Sequence, residues 1–261
     1  MIKFKDNWKE VFGANGFCDE NNLYDFKGGE IINVNARRNV TKFAMDVNGS
    51  KQVFFMKRFF NEHYKDIIAG FKNHFAIVSQ GEVEWRNANK LLEIGVETYC
   101  PVCFGVKEFN LNNMCSFVVT KEIDGECFSD VVADRWVSFS DKQKQSVLDS
   151  VASVAVKIHN EKISLPDLYV WHYYCDSDPQ ASKDMAVIDL HRMKLRAGER
   201  DFVKNLGGLH YSMHEKYFTN DHRNYVIEEY CRQRGVNCKR FMNKVHKRSK
   251  LVSSRRHPPG Y

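Results

Sequence analysis

From residue 30 onward apolar and polar positions alternate in short bursts, the period-two signature of half-buried strands. Glu30 to Ala36 reads as one strand, Val40 to Val47 as a second and Gln52 to Phe60 as an aromatic-rich third. Asn48-Gly49 supplies a type I′ hairpin turn between the last two. The period then lengthens: Val83, Ala88, Leu91, Leu92 and Ile94 fall on helical spacing within Glu82 to Ile94, and Gly95 stops the run. Two further strands, Pro101 to Val106 and Ser116 to Ile123, flank a polar turn at Asn110-Leu-Asn-Asn113. Residues 1–123 are therefore expected to form a five-stranded antiparallel sheet with one helix inserted after the third strand.

The second half follows a different rule. Ser140-Asp-Lys-Gln143 is a capping box, and Val147, Val151, Val154, Ala155 and Ile158 continue it as one face of a long helix ending near His159-Asn160. Leu165-Pro166 breaks the chain, Asp167 to Cys175 follows, and a short apolar strand, Met185 to Ile188, ends in Asp189. Glu199 to Tyr230 is helical in pattern. The expectation is an α+β fold with a β-rich lobe over 1–123, a mainly helical lobe over 124–230 and a tail over 231–261, the outline of a two-lobe phosphotransferase.

Composition narrows the class. At 261 residues, 43% hydrophobic and 28% charged, the chain is globular, which excludes disordered and fibrous classes. No run approaches the roughly 18 apolar residues of a membrane span, and the N-terminal Met1-Ile-Lys-Phe-Lys-Asp has no apolar signal core, so a cytosolic location is expected. Eight scattered cysteines suit a reducing compartment; Cys100 and Cys103 have zinc-knuckle spacing but no second pair to complete a site. The net charge of +6 is carried by the tail: ten Lys and Arg and no acids follow Cys231, leaving 29 basic against 33 acidic residues before it. Lys239-Arg240, Lys244, Lys247-Arg248 and Lys250, with Phe241, Met242 and Val245 between them, read as a basic amphipathic helix ahead of a frayed end that carries Arg255-Arg256. Such a segment suits an anionic lipid surface; no nucleic acid is expected, because no recognition motif accompanies the charge.

Phosphoryl transfer to an alcohol needs a cation on the nucleotide phosphates, a metal-binding carboxylate and a carboxylate at the attacking hydroxyl. All three have candidates in the order that protein kinases use. Lys57 sits in the third strand, in Val53-Phe-Phe-Met-Lys-Arg-Phe-Phe60, and Glu84 in the following helix is placed to pair with it, with Glu82 as its competitor. Asp167 opens Asp167-Leu-Tyr-Val-Trp-His172, the length of a kinase catalytic loop, with His172 at the position of the metal-binding Asn. Asp189 ends a short strand, as a magnesium-binding Asp does, with Leu190 and His191 in place of Phe and Gly. No glycine-rich loop covers the phosphates; Ala36-Arg-Arg-Asn39 offers Arg37 and Arg38 instead. Leu165-Pro166 stands in place of His-Arg, which leaves His159 as the nearest imidazole to assist the loop, while His191, Arg192 and Lys194 form a basic cluster after Asp189.

The strings Met56-Lys-Arg-Phe, Glu84-Trp-Arg-Asn-Ala, Gly95-Val-Glu-Thr, Val119-Thr-Lys-Glu-Ile-Asp-Gly125, Pro166-Asp-Leu-Tyr-Val-Trp-His172, Val187-Ile-Asp-Leu-His-Arg192 and Leu209-His-Tyr-Ser212 resemble the lipopolysaccharide kinase (Kdo/WaaP) family over about residues 30 to 230. The resemblance implies a protein-kinase-like fold that uses ATP and magnesium to phosphorylate a heptose or Kdo hydroxyl of the lipopolysaccharide inner core. It implies that Asp167 takes or orients the hydroxyl proton and that Asp189 holds the metal with His172 near it. Lys57 and Glu84 would set the α/β-phosphates, and Thr120, Lys121, Glu122 and Ile123 would form the backbone hinge beside adenine. The implied partners are the core glycolipid and, through the basic tail, the anionic cytoplasmic face of the inner membrane. One alternative keeps the fold with a protein or small-alcohol acceptor; the other is a non-catalytic pseudokinase scaffold, which the missing glycine-rich loop and missing His-Arg motivate.

Overall fold

The computed structural model describes residues 1–17, 19–60, 62, 64–109, 114–176 and 185–261. The Asn110 to Asn113 turn and Cys18 lie outside the described residues. The chain divides into two compact units, one built from residues 1–90 and 99–123, the other from 91–98 and 124–261.

The first unit opens with strand β1 (Ile2–Phe4) and helices α1 (Trp8–Ala14) and α2 (Glu20–Tyr24). Strands β2 (Glu30–Asn35), β3 (Arg38–Val47) and β4 (Ser50–Phe59) follow, then helices α3 (Tyr64–His74) and α4 (Gln80–Glu93), then β5 (Pro101–Glu108) and β6 (Cys115–Lys121). The sheet has six strands in the order β1-β5-β6-β4-β3-β2, its neighbours paired antiparallel. Five of these are the expected strands; β1, three residues pairing with β5, is too short to show a period and adds the sixth. The Asn48-Gly49 turn has both residues at positive φ, 54° and 81°, as type I′ requires. One face of the sheet buries Phe43, Phe54, Met56, Phe117 and Val119 against Phe12 and Leu23 of α1 and α2.

In the second unit β7 (Glu126–Cys127), helix α5 (Phe128–Arg135) and a 3₁₀ turn (Trp136–Ser138) lead to the long helix α6 (Asp141–Asn160). Ser140 caps α6 as expected: its Oγ accepts from the Gln143 amide at 3.3 Å while Gln143 Oε1 accepts from the Ser140 amide at 2.7 Å. A 3₁₀ turn (Val170–His172) precedes β8 (Tyr173–Cys175), which pairs with β7 and with β9 (Ala186–Val187). The expected helical stretch from Glu199 to Tyr230 is two helices, α7 (Glu199–Ser212) and α8 (Asn220–Arg234), because Thr219 restarts the helix by capping the His222 amide at 3.2 Å.

Helix α9 (Cys238–Ser253) packs on α7, burying Phe241, Val245, Ser249 and Val252. The tail's apolar stripe thus belongs to the core of the second unit. Its terminal residues are docked where a frayed end was expected. The Tyr261 hydroxyl donates to the Ser212 carbonyl at 2.5 Å and its ring stacks on Tyr217 at 5.9 Å, while Arg256 lies 5.0 Å over the Tyr169 ring.

Candidate active site

In the first unit Lys57 projects from β4 opposite Val118 of β6, and its Nζ donates to Glu84 Oε2 at 2.8 Å. Glu84 is fully buried and Lys57 nearly so, at 0% and 18% exposure of the side chains. Gly81 allows the approach: a Cβ there would stand 2.4 Å from the Phe117 carbonyl, so the first turn of α4 lies directly on β6 and aims Glu84 at the strand that carries Lys57. Glu82, the competing acid, is taken by Arg86 one turn on, at 2.6 Å. No sequence pattern marks Tyr99, whose hydroxyl donates to the same Glu84 oxygen at 3.2 Å and whose ring lies 5.6 Å under Lys57 Nζ. Glu84 Oε1 has no hydrogen-bond partner among the described residues.

The other first-unit candidates lie along the strands. Arg37 is exposed in the β2–β3 turn, its amide held by Asn35 Oδ1 at 2.9 Å, and Arg38 begins β3 with a buried Nε that has no hydrogen-bond partner among the described residues. Thr120 is buried in β6. The amides of Lys121 and Glu122 donate to the carbonyls of Cys100 and Val53, both at 2.9 Å, and the Glu122 carboxylate accepts from Lys42 at 3.0 Å. The two N–H groups and that side chain are therefore already engaged.

In the second unit the Asp167 and Asp189 loops are cross-tied by a pair of reciprocal 2.9 Å bonds between Ser164 and Lys194. The Asp167 carbonyl accepts twice, from the Tyr169 amide at 2.9 Å and from His172 Nδ1 at 2.6 Å. A carbonyl can only accept, so Nδ1 carries the hydrogen and the Nε2 of a neutral His172 offers a lone pair. That nitrogen stands 3.8 Å from Asp189 Oδ2. Two facing lone-pair sites repel unless a proton or a cation lies between them. Asp189 Oδ1 accepts from His191 Nδ1 at 2.6 Å, and Asp189 has the left-handed backbone, φ 64°, that aspartate tolerates better than most residues. Arg192 Nη1 reaches both oxygens of Asp167, at 3.1 and 3.2 Å, a bifurcated, charge-assisted contact from a half-exposed side chain.

His159 does not reach the Asp167 loop by its own side chain. It is fully buried, and desolvation with Arg234 nearby pushes it down to about 3 despite its bond to Asn205. Its influence passes through Asn205, whose Oδ1 accepts both from His159 Nε2 at 3.1 Å and from the Leu165 amide at 3.0 Å, two residues before Asp167. Arg234 donates to the Tyr230 hydroxyl, which in turn donates to His159 Nδ1. Asn205 is a positioning residue that no spacing in the sequence marks.

Among the described residues no cluster of three or more His, Cys, Asp or Glu could hold a metal, and Cys100 and Cys103 are free thiols. Magnesium seldom needs such a cage, since it is commonly held by one or two carboxylates with substrate phosphates and water completing six oxygens. Asp189 fits that mode as the carboxylate, with His172 Nε2 3.8 Å away as a neighbour and not as an oxygen ligand, and the Lys57 ammonium held by buried Glu84 fits an anionic phosphate chain.

An antiparallel sheet carrying a lysine paired to a helix glutamate, followed by a helical unit carrying two loop aspartates, defines the α+β fold of the two-lobe protein-kinase-like class. A solved structure of WaaP in complex with acyl carrier protein superimposes with a TM-score of 0.72, covering 97% of this chain and 99% of that one at 18% identity. The model of the Lipopolysaccharide kinase (Kdo/WaaP) family matches residues 27–230, and the chain belongs to that family. Lipopolysaccharide core heptose(I) kinase WaaP of Escherichia coli (strain K12) is 27% identical over 220 residues, 81% of this chain and 80% of the relative. The Pseudomonas aeruginosa kinase of the same name is 28% identical over 136 residues, 49% of this chain and 51% of the relative.

Proposed function

We propose that the chain is an ATP-dependent kinase that phosphorylates a heptose or Kdo hydroxyl of the lipopolysaccharide inner core, working at the cytoplasmic face of the inner membrane. The observation that supports this reading is the pairing of two carboxylates on cross-tied loops: Asp167, bonded by Arg192 Nη1, and Asp189, 3.8 Å from His172 Nε2.

In this reading Asp167 accepts a hydrogen bond from the acceptor hydroxyl, turns the oxygen's lone pair toward the γ-phosphorus and takes the proton as the new P–O bond forms and the bond to ADP breaks. Asp189 would hold magnesium with His172 beside it, and the cation would neutralise charge on the nucleotide phosphates. Lys57 donates to the α/β-phosphates while Glu84 and Tyr99 keep its ammonium in place. Arg37 and Arg38 supply, from the β2–β3 turn, positive charge where a glycine-rich loop would supply backbone amides, and the segment Thr120 to Ile123 borders the adenine. The basic outer face of α9 attracts anionic lipid.

The test is transfer of labelled γ-phosphate from magnesium ATP to dephosphorylated core lipopolysaccharide. Label on the core that Asp167→Asn and Asp189→Asn each reduce by at least about a hundredfold, with both variants folded, is the expected result. A protein that binds ATP but labels no core acceptor would sink the choice of acceptor, and one that binds no ATP would sink the kinase reading.

A further inference from the structure

Helix α3 holds to the first unit by a narrow side. Ile67 and Gly70 are its buried residues, with Gly70 set against Val78 and Val83. A second apolar row faces away. Tyr64, Ile68 and Phe71 recur at spacings of four and three, so they share one side of the helix. Phe75 extends the row through its amide bond to the Phe71 carbonyl at 2.7 Å. The four are exposed at 61%, 46%, 50% and 72%, and Ile77 beyond them at 48%. Phe75 also has a left-handed backbone, φ 54°, at a helix end where glycine or asparagine is the ordinary choice.

Charge is arranged around this row with a sign. Lys65 and Lys72 stand about a quarter turn from it, and the acid of the helix, Asp66, lies nearly on the opposite side. Phenylalanine, tyrosine and isoleucine on one side of a helix with lysines along the edge are what an interfacial helix presents to anionic headgroups. Five of the large exposed apolar side chains among the described residues fall between residues 64 and 77, and such clustering marks interaction surfaces.

We infer that the outward row of α3 inserts into the headgroup and acyl boundary of an anionic bilayer, holding the first unit at the membrane. The inference rests on the proposed function only in that the acceptor is a membrane glycolipid. It assigns to α3 the apolar contact that α9, with its own stripe buried on α7, does not provide.

The experiment uses the full chain with vesicles of phosphatidylcholine containing about one third phosphatidylglycerol, the fraction in which polybasic and interfacial attraction are both expressed. The expected results are sedimentation of the wild type with these vesicles and a roughly tenfold or greater weakening in Phe71→Asp and in Ile68→Asp. A tryptophan introduced by Phe71→Trp is expected to be quenched by acyl-brominated lipid beyond the quenching of the wild type. Vesicle binding that Phe71→Asp leaves unchanged, or an introduced tryptophan that bromolipid does not reach, overturns the inference. So does dimerisation that Phe71→Asp abolishes in a protein that ignores vesicles, which would assign the row to a second copy. Phosphate transfer to delipidated core oligosaccharide, measured in parallel, separates the two readings. Transfer that Phe71→Asp retains shows the variant folded. Absent transfer in a wild type that still inserts rejects the kinase reading alone.

Discussion

Asn205→Leu tests whether a buried polar link fixes the start of the Asp167 loop. The substitution keeps the branching at Cγ, with somewhat greater bulk, and removes the oxygen that accepts from both His159 and the Leu165 amide. All three residues are buried, at 1%, 0% and 3% exposure, so neither donor gains water. A buried donor left without an acceptor costs about 1–3 kcal/mol, and two cost about 2–6 kcal/mol. Against a total of about 5–15 kcal/mol that is a large fraction, and at about 2–4 °C per kcal/mol the melting temperature should fall by roughly 5–20 °C. Urea denaturation and amide hydrogen exchange at Leu165 would read the loss, with Asn205→Asp, which retains the acceptor, falling less. A Leu variant that melts within about 2 °C of the wild type, with its Leu165 amide still protected, would refute the reasoning.

Protons should act on the same link. His159 is held down to about 3 from an ordinary 6.5, so the unfolded chain binds the proton first; stability is full above about pH 6.5 and declines as pH falls toward 3, by up to about 1.4 kcal/mol per unit. His210, pushed down to about 4, adds a slope of the same sign, so the measurement is the difference in urea midpoints between wild type and His159→Gln across pH 4–7, and equal slopes would count against it. Lys57→Met leaves the Glu84 carboxylate buried without its cation, with the Tyr99 hydroxyl still donating to it, and should cost about 3–5 kcal/mol, much of it restored in Lys57→Met/Glu84→Gln; a double-mutant cycle checks this. Gly207→Ala would bring a Cβ within 2.4 Å of Arg248 Cγ and 3.3 Å of the Ser249 nitrogen, so a thermal melt should show a net loss of about 1–3 kcal/mol. Gly13→Ala, with nothing within 4 Å, should instead gain up to about 1 kcal/mol.

The features legible in the sequence were those with strictly local causes. Asn48-Gly49 turns because both residues tolerate positive φ, and Ser140 and Gln143 cap α6 because their spacing lets each reach the other's amide. The link between Lys57 and Glu84 could be read from order along the chain, whereas the choice of Glu84 over Glu82 needed Arg86 to claim the other acid. Tertiary partners stayed hidden. A three-residue strand such as β1 has no period to read, and Asn205 within α7 looks like any weakly helical residue until His159 and Leu165 come within reach. Helices α3 and α9 show the same limit from two sides. Both are amphipathic, yet the apolar side of α9 faces α7 while the row on α3 faces outward, and period alone does not say what covers a face.

The boundary between the units has a practical meaning for anyone recombining members of this family. Residues 91–98 belong to the second unit, and there the Glu97 carbonyl accepts the Val187 amide at 2.9 Å while the Thr98 hydroxyl donates to the Val187 carbonyl at 2.6 Å, two residues before Asp189. A chimera joined at residue 123 would therefore inherit its Asp189 loop from one parent and the support beneath it from the other. Moving 91–98 together with 124–261 keeps that support native, so two junctions inside the first unit are safer than one after it.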